Sequence, residues 1–147
     1  VEWVNRQYRA TVYEDAFSPF CLIAENNGDA DEIHAHLDQL CARIPHLTVV
    51  RNDVYARFSH ADFNKGTALT ELGRRLGVGP DLIFAAGDWL NDLPMLDHTR
   101  ARCLTAPANA IEPVKATVRE QGGYVSPLNR GDGVADGLRY WLRQVEA

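Results

Sequence analysis

The sequence predicts an α/β protein in two parts: a small α+β unit over residues 1–62, and a parallel sheet with helices over residues 63–147. Two observations carry this. The run Leu82-Ile83-Phe84-Ala85-Ala86 is apolar at every position, as in a strand of a parallel sheet covered on both faces. From Asn64 onward short apolar runs alternate with helical periods, the pattern of strands joined by crossover helices. The 147 residues, 46% of them hydrophobic, are sufficient for roughly one core-forming domain.

In the first part, Tyr8 to Tyr13 and Phe20 to Ala24 are strand candidates, rich in aromatic and β-branched residues. Asn26-Asn27-Gly28-Asp29 interrupts them, and a helix is expected from about Asp31 to Arg43. Its apolar set Ile33, Leu37, Leu40, Cys41 and Ile44 recurs at three and four residues, one face of a helix. Pro45 ends it. Leu47 to Val50 and Val54 to Ser59 alternate as two strands of a hairpin turning at Asn52-Asp53.

In the second part a helix is expected from Lys65 to Leu76, with Leu69, Leu72 and Leu76 inward and Gly77 as its terminator. After the strand Leu82 to Ala86 come a short helix near Leu93-Pro94, a strand at Cys103-Leu104-Thr105, and a helix from Ile111 to Gln121 stopped by Gly122-Gly123. A third strand at Tyr124-Val125 precedes a closing helix from Val134 to Val145, with Leu138, Trp141, Leu142 and Val145 inward. The expected architecture of this part is Rossmann-like.

Charge and composition exclude several classes. The net charge is −5 and no cluster of Lys and Arg is present, so a nucleic-acid partner is not expected. No apolar run approaches the roughly 20 residues a membrane span needs, so no membrane role is expected. Cys21, Cys41 and Cys103 are scattered and read as reduced core thiols, which points to a cytoplasmic location. The five histidines read as surface or capping groups.

Two segments carry chemistry. Gly87-Asp88-Trp89-Leu90-Asn91-Asp92 follows directly on an apolar strand, where open α/β sheets bind ligands. Two carboxylates on one tight turn suit a hard cation such as Mg2+, and the Asn91 amide suits a phosphate oxygen. The competing reading makes Asn91 or Asp92 a helix cap and Asp88 a turn residue. The second segment, Asn64-Lys65-Gly66-Thr67, opens a helix against local rules: a lysine faces the positive end of the helix dipole and a glycine weakens the first turn. Lysine and free helix N–H groups together form an anion receptor, most naturally for a phosphoryl group. Taken alone, Lys65 reads as a solvated surface residue.

From Lys65 through Leu142 the chain resembles the haloacid dehalogenase (HAD) superfamily, in its Cof-type or sucrose-phosphatase-like branch. Asn64-Lys65-Gly66-Thr67-Ala68-Leu69 is similar to that branch's lysine motif, and Gly87-Asp88-Trp89-Leu90-Asn91-Asp92 to its acidic loop. Pro107-Ala108-Asn109-Ala110 resembles the later asparagine-alanine turn, and Gly131-Asp132-Gly133-Val134 the segment before the last helix. The resemblance implies part of a HAD core preceded by part of an α+β cap domain. It implies a phosphatase acting on a small phosphate ester, commonly a sugar phosphate, with Mg2+ and an aspartyl-phosphate intermediate. Lys65 would bind the phosphoryl group and act in catalysis, Asn91 would bind phosphate, and Asp88 would ligate the metal. Asp92 would support the metal's water shell or Lys65.

The chain departs from the family in one respect. No D-x-D-G-T nucleophile motif occurs; Asp29-Ala30-Asp31 has the spacing but precedes a helix. The expectation is a fragment, inactive alone, that either associates with a missing N-terminal segment or with itself. The alternative is a non-catalytic module binding a phosphorylated ligand or a partner chain.

Overall fold

The computed structural model describes residues 1–145, and the chain divides between Phe63 and Asn64 into two units. The first unit opens with a helix, α1 (Glu2–Gln7), which buries Val4. The sequence pattern gave no notice of α1, because six residues are too few to display a helical period. Strands β1 (Ala10–Tyr13) and β2 (Cys21–Ala24) follow, then α2 (Asn27–Cys41), β3 (Leu47–Asn52) and β4 (Tyr55–His60). The strands form an antiparallel sheet in the order β1-β2-β4-β3. The β3–β4 turn falls where expected, with Asp53 at φ 54, a left-handed value an aspartate tolerates.

Helix α2 begins four residues earlier than the expected Asp31. Asn26 caps it by accepting the Asp29 amide at 3.0 Å. The Asn-Asn-Gly-Asp run is therefore the helix start, and Asp29-Ala30-Asp31 lies in its first turns. The buried face is Ala30, Ile33, Leu37 and Cys41, packed with Leu22, Val49 and Ala56 of the sheet. Leu40 and Ile44, expected inward, are exposed. Ala30 takes their place because the earlier start extends the buried stripe toward the N-terminus.

The second unit contains α3 (Lys65–Leu76), β5 (Phe84–Ala86), β6 (Cys103–Ala106), α4 (Glu112–Glu120), β7 (Tyr124–Val125) and α5 (Arg130–Val145). Its sheet is parallel in the order β5-β6-β7. One correction concerns this sheet. The strand expected over Leu82–Ala86 is only Phe84–Ala86, because Pro80–Leu82 winds into a 3-10 turn that leaves Leu82 80% exposed. It is also an edge strand among the described residues, and β6, buried at all four positions, is the centre.

The helices of this unit pack through glycines more than leucines. In α5, Gly133 and Gly137 are buried, while Leu138 and Leu142, expected inward, are exposed. A Cβ on Gly137 would stand 2.3 Å from Thr105 Cγ2 and 2.5 Å from Thr105 Oγ1, so the helix backbone lies directly on β6. Trp141 faces the sheet as expected and donates its Nε1–H to the Leu104 carbonyl at 3.1 Å. The side chain of Val145 lies outside the described residues. Asp136 accepts from Ser126 Oγ at 2.7 Å and Tyr124 Oη at 2.8 Å, and these bonds hold its carboxyl below the usual range.

Helix α3 ends as expected at Gly77, φ 67. It buries Gly66 and Gly73, while Leu69 is half-buried and Leu72 and Leu76 are exposed. All three cysteines are free and buried. No described helix is long and apolar enough to cross a membrane.

Gly137→Ala should destabilise the protein by about 2 kcal/mol, the cost of overpacking a closed contact. Adding Thr105→Ala should recover part of that loss, since it removes the two atoms met first. Urea unfolding of the two single variants and the double variant measures this; additive losses would show that the α5–β6 contact is not the cause.

Candidate active site

The site is built from the start of α3, the end of β5, and the loops after β5 and β6. Asn64, in extended backbone at φ −139, accepts the amides of Gly66 at 2.9 Å and Thr67 at 3.0 Å. Thr67 Oγ1 returns the bond by accepting the Asn64 amide at 3.0 Å, closing a capping box. Two N–H groups of the first turn are thus committed to Asn64, and Lys65 occupies the first helical position.

Gly66 explains its own presence. A Cβ there would lie 2.0 Å from the Pro94 carbonyl oxygen and 2.6 Å from its carbon. Residues Leu90–Met95 form a 3-10 helix, and only glycine lets the first turn of α3 meet that backbone. The approach brings Lys65 Nζ into an ion pair with Asp92 Oδ1.

Asp92 is 4% exposed. Its other oxygen, Oδ2, accepts the amides of Asp88 at 2.9 Å and Trp89 at 3.2 Å. A Cβ on Gly87 would stand 2.4 Å from Asp92 Cβ and 2.8 Å from its Cγ, so the residue leaving β5 is glycine because Asp92 occupies the space. Both carboxylate oxygens are engaged, and the buried charge is compensated as it must be. Asp92 therefore does cap the loop, as the competing sequence reading held, and it also holds the lysine.

Asp88 differs. It is exposed at the C-terminal end of β5. Its Oδ2 accepts from Asn109 Nδ2 at 3.0 Å, and Asn109 Oδ1 accepts the Arg130 amide at 2.5 Å. The Asp88 carbonyl accepts the Ile111 amide at 3.1 Å, tying the acidic loop to the turn before α4. Asn91 Oδ1 and Trp89 Nε1 are buried with no hydrogen-bond partner among the described residues.

Lys65, Asp88 and Asp92 are thus linked through hydrogen bonds and one ion pair, and no such bond ties Asn91 to them among the described residues. The role of Asn109 escaped the sequence reading, although its Pro-Ala-Asn-Ala turn was a marked feature. Nothing local announces that an asparagine 21 residues away will orient Asp88. Arg130, at φ 52, contributes its backbone amide, which no side-chain motif reveals.

Of the two carboxylates read as metal residues, Asp92 has both oxygens engaged by Lys65 and the loop amides, while Asp88 could hold a hard cation such as Mg2+. Asp88 is the exposed carboxylate and keeps Oδ1 without a hydrogen-bond partner among the described residues.

Fold and loop placement define the class, an open-sheet α/β protein with its polar residues gathered beyond the strand ends. The chain belongs to the haloacid dehalogenase-like hydrolase family, whose pattern matches residues 4–138. It is similar to a phosphoglycolate phosphatase of Methanopyrus kandleri, 40% identical over 84 residues, which cover 57% of this chain and 34% of that protein. A putative phosphatase of Haemophilus influenzae is 29% identical over 142 residues, 91% of this chain and 51% of that one. Among solved structures, a Streptococcus mutans protein aligns with TM-score 0.65 at 27% identity, over 84% of this chain and 45% of that one. The sucrose-phosphatase of Synechocystis aligns with TM-score 0.66 over 95% of this chain and 59% of that one; at 15% identity it shows the fold alone. The chain spans about a third to a half of the length of these curated relatives.

The Lys65–Asp92 pair should behave as a coupled unit. In a double-mutant cycle of urea unfolding, Lys65→Met and Asp92→Asn should show an interaction energy of about 1 kcal/mol. The half-exposed lysine keeps the value well below that of a fully buried pair, since solvent screens it. A cycle that closes near zero would mean that the pair is incidental.

Proposed function

We propose that this chain carries the lysine and the acidic loop of a Mg2+-dependent phosphatase that hydrolyses a small phosphorylated metabolite, a sugar phosphate being the expected class. The observation that carries the reading is the paired Lys65 and Asp92 beside an exposed Asp88 at a strand's C-terminal end. The phosphatases among its relatives support the same reaction class.

In this proposal Lys65 Nζ neutralises charge on the transferring phosphoryl group, and Asp92 fixes its position. Asp92 holds Lys65 by one oxygen and the loop by the other, so a lysine with a flexible stem reaches one defined point. Asn91 presents its amide to a phosphate oxygen. Asp88, oriented by Asn109, would ligate Mg2+, with Asp92 contributing its negative charge to the metal's water shell. The ion, when bound, supplies charge neutralisation for the phosphoryl oxygens.

Covalent catalysis in this reading needs an aspartate nucleophile. No D-x-D-G-T motif occurs in the 147 residues, so the reading assigns the nucleophile to sequence beyond them. Residues 1–62 are read as part of the cap domain that selects the ester, and the protein is read as cytoplasmic.

The 147-residue chain should therefore show no Mg2+-dependent hydrolysis of p-nitrophenyl phosphate. In the protein that carries the nucleophile, Lys65→Ala should lower kcat by about 100-fold or more, the scale of losing one transition-state charge partner. Asp88→Asn should lower activity and raise the Mg2+ concentration needed for half-maximal rate. Turnover by the 147-residue chain, or full activity of Lys65→Ala, would refute the assignment.

The proposal extends to association. Strand β5 pairs only with β6 among the described residues, leaving its other edge free. A free parallel-sheet edge templates pairing with another strand. The expected outcome in sedimentation of the 147-residue chain is self-association, relieved when the segment carrying the nucleophile strand is supplied. A monomer at all concentrations would argue for a self-contained binding module instead.

A further inference from the structure

The first unit contains a cluster that the proposed phosphatase chemistry does not use. His46, just before β3, His60, at the end of β4, and Asp62, two residues on, each offer one donor atom within 4.8 Å of the others. We infer that these three residues bind a divalent first-row transition ion, of which Zn2+ and Co2+ are the representative species.

One carboxylate oxygen is the focus. Asp62 Oδ2 lies 3.3 Å from His46 Nδ1 and 3.8 Å from His60 Nδ1. The two rings lie nearly parallel, with centroids 5.1 Å apart and planes inclined by 11°, so both Nδ1 edges face the same carboxylate. His60 Nδ1 accepts the Asp62 amide at 3.2 Å, which turns that nitrogen toward the segment that carries the carboxylate.

The backbone holds the arrangement in place. His46 and His60 sit at the open end of the β3–β4 hairpin, where Leu47 pairs with His60. The Ala61 amide donates to the His46 carbonyl at 2.7 Å, continuing the ladder one step past the strands. His46 adopts φ 62, a left-handed value that is uncommon for a residue with a side chain.

The donor set selects the ion. Two imidazoles and one carboxylate suit Zn2+, Co2+ or Ni2+, whereas Mg2+ prefers oxygen alone. Metal–ligand bonds of about 2.0–2.2 Å place ligand atoms roughly 3–4 Å apart, so small rotations of exposed side chains close the site. All three residues are exposed, which leaves the remaining coordination positions to water. A bound ion would give up only the weak Asp62 amide bond to His60. It would pin the open end of the hairpin, joining the residue before β3 to the residue two after β4.

The test is a Co2+ titration of the 147-residue chain in excess Mg2+, which saturates all-oxygen sites, followed by NMR of the histidine rings. Equimolar Co2+ should broaden the ring signals of His46 and His60 far more than those of His34, His36 and His98. His60→Ala and Asp62→Asn should each weaken binding at least tenfold, with thermal unfolding of the metal-free variants near that of the parent chain. Asp88→Asn should leave the affinity unchanged, which separates this site from the acidic loop. Equal broadening of all five histidines, or an unchanged affinity in His60→Ala, would overturn the assignment.

Discussion

A carboxylate that is buried and ionised must have partners, and Asp92 sets the local structure of the second unit by that requirement. Three groups meet the demand: the Lys65 ammonium, the Asp88 amide and the Trp89 amide. Each of these forces something on the chain. The lysine must come from the start of α3, so the first turn of that helix must lie against the 3-10 helix, and Gly66 makes room for it. The two amides must point inward from the loop, so the exit from β5 must pass against the Asp92 side chain, and Gly87 makes room there. An unfavourable lysine at a helix N-terminus and a helix-weakening glycine beside it thus belong to one arrangement. Their local cost is offset by a satisfied buried charge.

The same economy of small residues runs through the rest of the unit. Gly137 lays α5 on Thr105, and Gly133 lays it against Leu128 and Pro107. Gly123 fits beneath the Leu104 carbonyl, and Gly73 beside the Val78 carbonyl. Close backbone contact of this kind gives dense packing without large side chains. It also explains why the leucines of α3 and α5 are outside: the packed face of each helix is already taken by glycine. Leu72, Leu76, Leu82, Leu138 and Leu142 remain exposed. They accompany a sheet whose β5 edge is unpaired among the described residues. These features agree with the proposal that further chain completes this sheet, in a family whose curated relatives here are nearly twice as long.

Sequence patterns were reliable where one element's own chemistry decides its limits. Helix α3 runs from Lys65 to Leu76 because an asparagine cap starts it and a left-handed glycine ends it, both local events. The β3–β4 hairpin and the β7 strand were legible for similar reasons. Patterns misled where burial was decided by a distant neighbour. Leu138 and Leu142 have the spacing of a core stripe, yet the approach of Thr105 to Gly137 turns that stripe outward. Leu82 belongs to an apolar run, yet Pro80 bends the chain into a 3-10 turn before the strand begins.

For the candidate site, the sequence by itself marked Lys65, Asp88 and Asp92 and their order along the chain, and the structure brings these three together. The glycine–aspartate loop after an apolar strand and the lysine after a capping asparagine are short-range patterns with a chemical meaning of their own. The three-dimensional arrangement decided how these residues divide the work. Asp88 and Asp92 are four apart and alike in the sequence, yet one is exposed and held by Asn109 while the other is buried and holds Lys65. Burial separates them, and burial is set by what packs from elsewhere in the chain: α3 over Asp92, and the turn after β6 beside Asp88. Asn109 and the Arg130 amide complete the geometry from positions distant in sequence, because a hydrogen bond depends on distance and direction in space and leaves no periodic trace along the chain.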